Sequence, residues 1–263
     1  MASRKKLKIT IVAATVLTLV VVFAIVGWVV SLMGDATSVR KLDAVDVKIP
    51  PASPAPVELI DVHAPGRTAN ELREWSQPIA ADTQIPGQAL RAYANAELIA
   101  RDAWPECNLK WNTLAGIGWV ETRHGTYSGN WFQPSEINSQ GEVVPHIIGI
   151  KLDGNSGTAD TPDTDNGEFD GDAEHDRAVG PMQFIPESWN RYGLDANGDG
   201  YANPHYIDDA ALSSAKLLCD YGRNLDNKRD WRQAIFAYNQ SGEYLRNVAH
   251  AANSYAQLQP AVR

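Results

Sequence analysis

The sequence predicts a mainly α-helical single domain behind an N-terminal membrane-spanning helix. Three observations carry that expectation. Residues 9–33 run for 25 positions without a charge. Beyond residue 84, apolar residues recur at helical spacing between Gly and Pro stops. No pair of alternating segments flanks a clear hairpin turn.

A membrane-spanning helix needs about 20 apolar residues, so 9–33 suffices with some tilt. The competing reading, a cleaved signal peptide, has an apolar core of only about 7–15 residues. Arg4, Lys5, Lys6 and Lys8 precede the segment and stay cytoplasmic by the positive-inside rule, so residues 1–8 are a cytoplasmic tail and the rest is extracytoplasmic. The chain of 263 residues carries a net charge of -9, and the part after residue 33 holds 19 basic against 32 acidic residues. Such an acidic body argues against nucleic-acid binding through net charge. Cys107 and Cys219 are the only cysteines. Outside the cytoplasm they are expected to form a disulfide, the alternative being two buried thiols.

Residues 34–83 read as a stalk, because five of the 15 prolines fall between Pro50 and Pro65 without a sustained apolar period. The packed domain is expected over 84–259. Helices are predicted over 86–103, from an Asn112 cap to about His124, over Pro186–Tyr192, from Asn203-Pro204 to Gly222, from an Asp230 cap to about 240, and over 242–258. Residues 141–152 are the one candidate strand. The tract 153–176 holds nine acids and no Lys or Arg, and reads as a solvated, mobile insertion, the alternative being a cation site whose spacing matches no loop rule.

Glu121 is the most informative residue. The apolar stripe Leu114, Ile117, Gly118 continues into it at i+7. A carboxylate on a buried stripe loses hydration, so its pKa rises, as a general acid at neutral pH requires. The structural alternative is a buried salt bridge, to Arg123 or Arg177. Gly180-Pro181-Met182-Gln183-Phe184 places an amide in an apolar turn, and Trp231, Ala234, Ile235 and Tyr238 form a stripe ending at Asn239. Each of these is a weak signal alone.

Together and in this order, GIGWVETRHG, AVGPMQF and AIFAYN resemble the three motifs of lytic murein transglycosylases on the lysozyme-like α+β fold. The likeness spans about 85–255 and is closest to the membrane-bound B-type branch of actinobacterial envelopes. It implies that Glu121 is the catalytic acid and then base, with Thr122 in the usual Ser/Thr position. Met182, Gln183, Phe184, Tyr238 and Asn239 complete the implied substrate-binding set. The implied reaction cleaves the bond between N-acetylmuramic acid and N-acetylglucosamine in peptidoglycan and closes a 1,6-anhydro ring. Pro181 departs from the family pattern and should stiffen the turn. The alternatives are a lysozyme-type hydrolase, marked by a second carboxylate, and a non-catalytic peptidoglycan-binding module. Asp176 in the acidic tract is a candidate second carboxylate. Partners in a cell-wall or division complex are not specified by the sequence.

Asp195, Asn197, Asp199 and Asn203 fall at positions 1, 3, 5 and 9 of an EF-hand-like loop, with Gly200 at position 6 and the Tyr201 carbonyl at 7. Position 12 is Tyr206 rather than Glu. The family has a similar loop closed by a later Asp, which implies Asp209 rather than Asp208. A structural calcium ion is therefore expected, with no cofactor required for the chemistry.

Overall fold

The computed structural model describes residues 42–127, 129, 133–155 and 158–262. Contacts divide the chain into Met1–Ala44 and Val45–Arg263. The expected tail and membrane segment, 1–33, lie outside the described residues. Among the described residues no helix is long and apolar enough to cross a membrane.

The second unit is mainly helical. Its helices are α1 (Arg73–Thr83), α2 (Gly87–Ala103), α3 (Trp111–Thr122), α4 (Pro186–Tyr192), α5 (Ile207–Cys219), α6 (Lys228–Tyr238) and α7 (Gly242–Ala256). Two antiparallel pairs interrupt them: β1 (Glu136–Ile137) with β2 (Val143–Val144), and β3 (Ile148–Lys151) with β4 (Arg177–Val179). The predicted 141–152 strand is therefore two short strands.

Helix α2 is Ala-rich and almost wholly buried, with Ala89, Leu90, Tyr93 and Ala96 at 1% exposure or less. Its small side chains let α5 and α3 pack against it closely. Helix α3 packs on α7 through Gly116, where a Cβ would stand 2.7 Å from the Val248 carbonyl oxygen. At Gly118 a Cβ would meet the Tyr93 hydroxyl at 2.1 Å. The two glycines of GIGWVET thus let α3, which carries Glu121, sink into the core. Trp111, Trp231, Tyr93 and Tyr255 are the largest fully buried side chains. The disulfide forms as expected: Cys107 and Cys219 are bonded across 112 positions, tying the loop before α3 to the end of α5.

Three expectations are corrected. First, the stalk over 34–83 does not hold for its described C-terminal part. Residues 68–83 form a 3-10 turn and α1, and the proline-rich stretch before them lies on the domain as a strap. Its carbonyls accept from side chains of the domain: Ala52 from Asn112 Nδ2 at 3.0 Å, Ala55 from Trp111 Nε1 at 2.9 Å, Pro56 from the half-buried Trp75 Nε1 at 2.8 Å. Asn253 binds both Ala52 N and the Lys48 carbonyl. A segment without apolar period is held here by its backbone, a signal that periodicity cannot carry.

Second, Asn112 is not a cap. It sits buried inside α3, and the helix start is instead satisfied by Glu97, whose Oε2 accepts from Trp111 N at 2.7 Å. Asp230 likewise lies in the first turn of α6, and Asn227 caps it by accepting from Arg229 N and Asp230 N.

Third, the acidic tract is tied down by its own carboxylates. Asp172 pairs with Arg177 at 2.9 Å and with Lys151 at 3.4 Å. Asp170 accepts from Arg177 N at 2.6 Å. Asp176 is fully buried and accepts from Thr164 N and Oγ1. Acids that bond backbone amides two to four positions on make turns rather than a free coil.

Candidate active site

Helix α3 ends abruptly after Thr122. Arg123, His124 and Gly125 take left-handed backbone angles with φ of 53°, 62° and 81°, and His124 N closes the helix on the Gly118 carbonyl at 2.8 Å. Left-handed non-glycine residues are strained and need outside support. His124 receives it from two tyrosines: Tyr93 Oη meets Nδ1 at 3.2 Å and Tyr255 Oη meets Nε2 at 2.8 Å. Burial, then the Arg123 charge, pushes the His124 pKa down to about 3, so the ring is neutral. Thr122 Oγ1 donates to the Pro181 carbonyl at 2.6 Å and accepts from Gly125 N at 2.7 Å. The helix end and the 180–184 turn are thereby fastened together.

Glu121 stands at this junction, on the wall of a cleft of about 410 Å³. Gln183, Phe184, Tyr238, Asn239 and Phe236 line the same cleft. Burial pushes the Glu121 carboxyl up to about 7, and a hydrogen bond from Tyr244 partly offsets that. Tyr244 Oη donates to Oε1 at 2.5 Å. Neither predicted salt bridge forms. Arg123 lies over the Trp119 ring at 4.1 Å and donates to the Trp119 carbonyl, while Arg177 is engaged by Asp172. Among the described lining residues no second carboxylate faces Glu121. Asp176, the sequence candidate, is sealed by Thr164 and takes no part.

The predicted substrate set divides. Gln183, Phe184, Tyr238 and Asn239 reach the cleft. Gln183 adopts a left-handed φ of 51°, and its Nε2 donates to the Gly180 carbonyl at 3.0 Å, which fixes the amide. Thr122 and Met182 do not line the cleft: both are buried, at 1% and 0% exposure. Thr122 is a staple. Met182 is core, and its carbonyl accepts from Tyr238 Oη at 2.7 Å. Tyr244 was missed by sequence reasoning. It follows the Ala-Tyr-Asn motif on α7 and lies parallel to Tyr238, centroids 6.3 Å apart. Its only signal was a tyrosine opening an apolar stripe.

The EF-hand-like loop folds around its own acids. Asp195 accepts from Gly198 N and Gly200 N, both at 2.8 Å, and Asn197 and Asp199 accept from amides two positions on. Asp209, fully buried, accepts from Ala196 N, Asn197 N and Asn203 N. Burial pushes its carboxyl up to about 7, with the Asp195 charge adding to the rise. The Tyr201 side chain points away, donating to Glu168 at 2.6 Å. An oxygen-only set suits a hard dication, and Asp209 rather than Asp208 faces the loop. Asp208 instead pairs with Arg67 at 2.8 Å. Among the described residues, however, the carboxylate trio whose oxygens lie within 4.8 Å of one another is Asp163, Asp165 and Asp176, not Asp195, Asp199 and Asp209. The chain's own N–H and O–H groups already occupy that trio.

Residues 175–235 match the family described as Transglycosylase SLT domain. The match takes in the 180–184 turn and the 195–209 loop, and stops short of Tyr238. Among solved structures, the chain is similar to the Escherichia coli lytic transglycosylase Slt35 in complex with bulgecin A. The two are 16% identical over 75% of this chain and 80% of that one, with a TM-score of 0.38, too loose to transfer any residue. No curated protein matches the chain.

Proposed function

We propose that the protein is a peptidoglycan lytic transglycosylase that cleaves the β-1,4 bond from N-acetylmuramic acid to N-acetylglucosamine. One observation carries this: a single carboxyl, Glu121, held near 7 on the wall of a cleft with no second described carboxylate opposite. The family match over 175–235 supports the substrate class.

Tyr244 holds Oε1, and among the described residues Oε2 has no hydrogen-bond partner. A carboxyl with a pKa near 7 is substantially protonated at neutral pH and able to donate. Glu121 gives its proton to the glycosidic oxygen as that bond breaks, leaving an oxocarbenium-like C1. The resulting carboxylate, with the Tyr244 hydroxyl favouring its charge, takes the proton from the muramic acid O6 hydroxyl. O6 then bonds to C1 and closes the 1,6-anhydro ring. Ordinary glycosidases set two carboxylates across the bond. Here the substrate supplies the nucleophile, so one suffices. Gln183 and Asn239 offer amides to sugar hydroxyls, and Phe184, Tyr238 and Phe236 offer rings.

Mass spectrometry of glycan products, with Glu121→Gln as control, is the test. Termini of 1,6-anhydromuramic acid support the proposal. Reducing termini would make the protein a hydrolase of the same bond, and binding without turnover a scaffold module. The same reading sets the domain outside the cytoplasm, anchored by residues 9–33. Its support is the length and basic flank of that segment, with a disulfide suited to an oxidising compartment. It also assigns calcium to the 195–209 loop as a brace, held by Asp195, Asn197, Asp199, the Tyr201 carbonyl and Asp209. The order of oxygen donors supports that assignment.

A further inference from the structure

Helix α6 brings Tyr238 to the cleft with its C-terminal end. Its N-terminal half does something different. Lys228, Arg229, Arg232, Gln233 and Phe236 share one face, and with Asn227 they line an open groove of about 540 Å³. Phe236 lines this groove and the cleft that holds Glu121. The two linings therefore share one half-buried residue.

The groove is basic in a chain of net charge -9. Arg229 is held by Asp230 at 3.0 Å. Among the described residues Lys228 and Arg232 make no ion pair, and both are exposed. They stand one turn apart, so they present adjacent charges. From Phe236 back to Lys228 the strip runs about 12 Å along the helix axis. Among the described residues no carboxylate lines it. Two cations, two amides and an aromatic residue shared with the lining of the cleft are complementary to an anionic extension of the glycan itself.

We propose that this strip binds the carboxylates of the peptides borne by the glycan strand, so that the enzyme grips peptide-substituted strands in preference to bare ones. The proposal rests on the transglycosylase reading for its substrate. Lys228 and Arg232 act on affinity and leave the reacting bond untouched.

The test uses the full chain and two substrates, peptidoglycan with its peptides and the same strands stripped of them by an amidase. In a Glu121→Gln background, Lys228→Ala/Arg232→Ala should weaken co-sedimentation with the peptide-bearing material about tenfold. Binding to the stripped strands should not change. With Glu121 intact, the double variant should raise KM for peptide-bearing strands at constant kcat, and added salt should mimic it. Equal loss on both substrates, or none on either, overturns the proposal. So does retained peptide preference with loss of binding to anionic lipid vesicles, which would make the strip a membrane contact. A wild-type chain that turns over neither substrate defeats the catalytic reading alone, because the sedimentation readout does not depend on turnover.

Discussion

Glu121 and Asp209 are both carboxyls that burial pushes up to about 7, yet they sit in opposite circumstances. Asp209 is enclosed by protein, and three backbone N–H groups converge on it. Glu121 faces a cleft and receives one phenolic hydroxyl. A raised pKa therefore does not identify a catalyst. What distinguishes Glu121 is an oxygen without a partner among the described residues, beside a space that a substrate can fill.

The sharpest break between the two comes from removing one ionisable group at a time. Glu121→Gln should lower glycan cleavage by at least about 10³-fold, since the proposed mechanism puts the acid and base roles on one residue. The fold should survive. Burial sets the native pKa above the ordinary 4.5, so folding takes up a proton between about 4.5 and 7. Stability contributed by the neutral form is full below 4.5 and declines as pH rises through about 7. The Gln variant should lose that decline, visible as a higher Tm than wild type at pH 8.

Asp209→Asn should do the reverse. Its Nδ2 would face a backbone N–H in place of an acceptor, costing about 1–3 kcal/mol. Thermal melts should show that loss, while kcat of the folded protein stays within about twofold, because no residue of the loop lines the cleft.

Tyr244→Phe asks whether the single donor matters. Without a hydroxyl favouring its charge, Glu121 should titrate higher, moving the alkaline limb of the kcat/KM profile upward by about half a unit to one unit. An unshifted limb would show that the 2.5 Å contact is structural. The smallest effect concerns the brace. Millimolar calcium should raise the wild-type Tm by about 2–4 °C and leave Asp209→Asn unmoved. No calcium response would remove the metal from the loop.

The helices were legible because apolar spacing and boundary residues, such as Pro186 at the start and Gly193 at the end of α4, are local. Glu121 was legible for the same reason, as a charge on an apolar stripe. Thr122 was not, since its bond to the Pro181 carbonyl joins residues 59 apart in sequence. The proline-rich strap escaped because Trp111 and Trp75 recognise its carbonyls, which every residue possesses. Tyr244 escaped because a tyrosine beginning a buried stripe looks like core until its hydroxyl is seen to end on Glu121.

The Cys107–Cys219 bond also decides how the protein would bear tension. The ring it closes contains α3, both strand pairs, the turn with Gln183 and all of α5. Force applied at the chain ends passes through the sulfurs and bypasses that ring. The 112-residue span, about 370–400 Å of contour, would be missing from a single-molecule stretching trace until a reductant is added. Helices α6 and α7 lie in the load path. Pulling can strip Tyr238 and Tyr244 from the cleft while Glu121 stays on a shielded helix facing half of it.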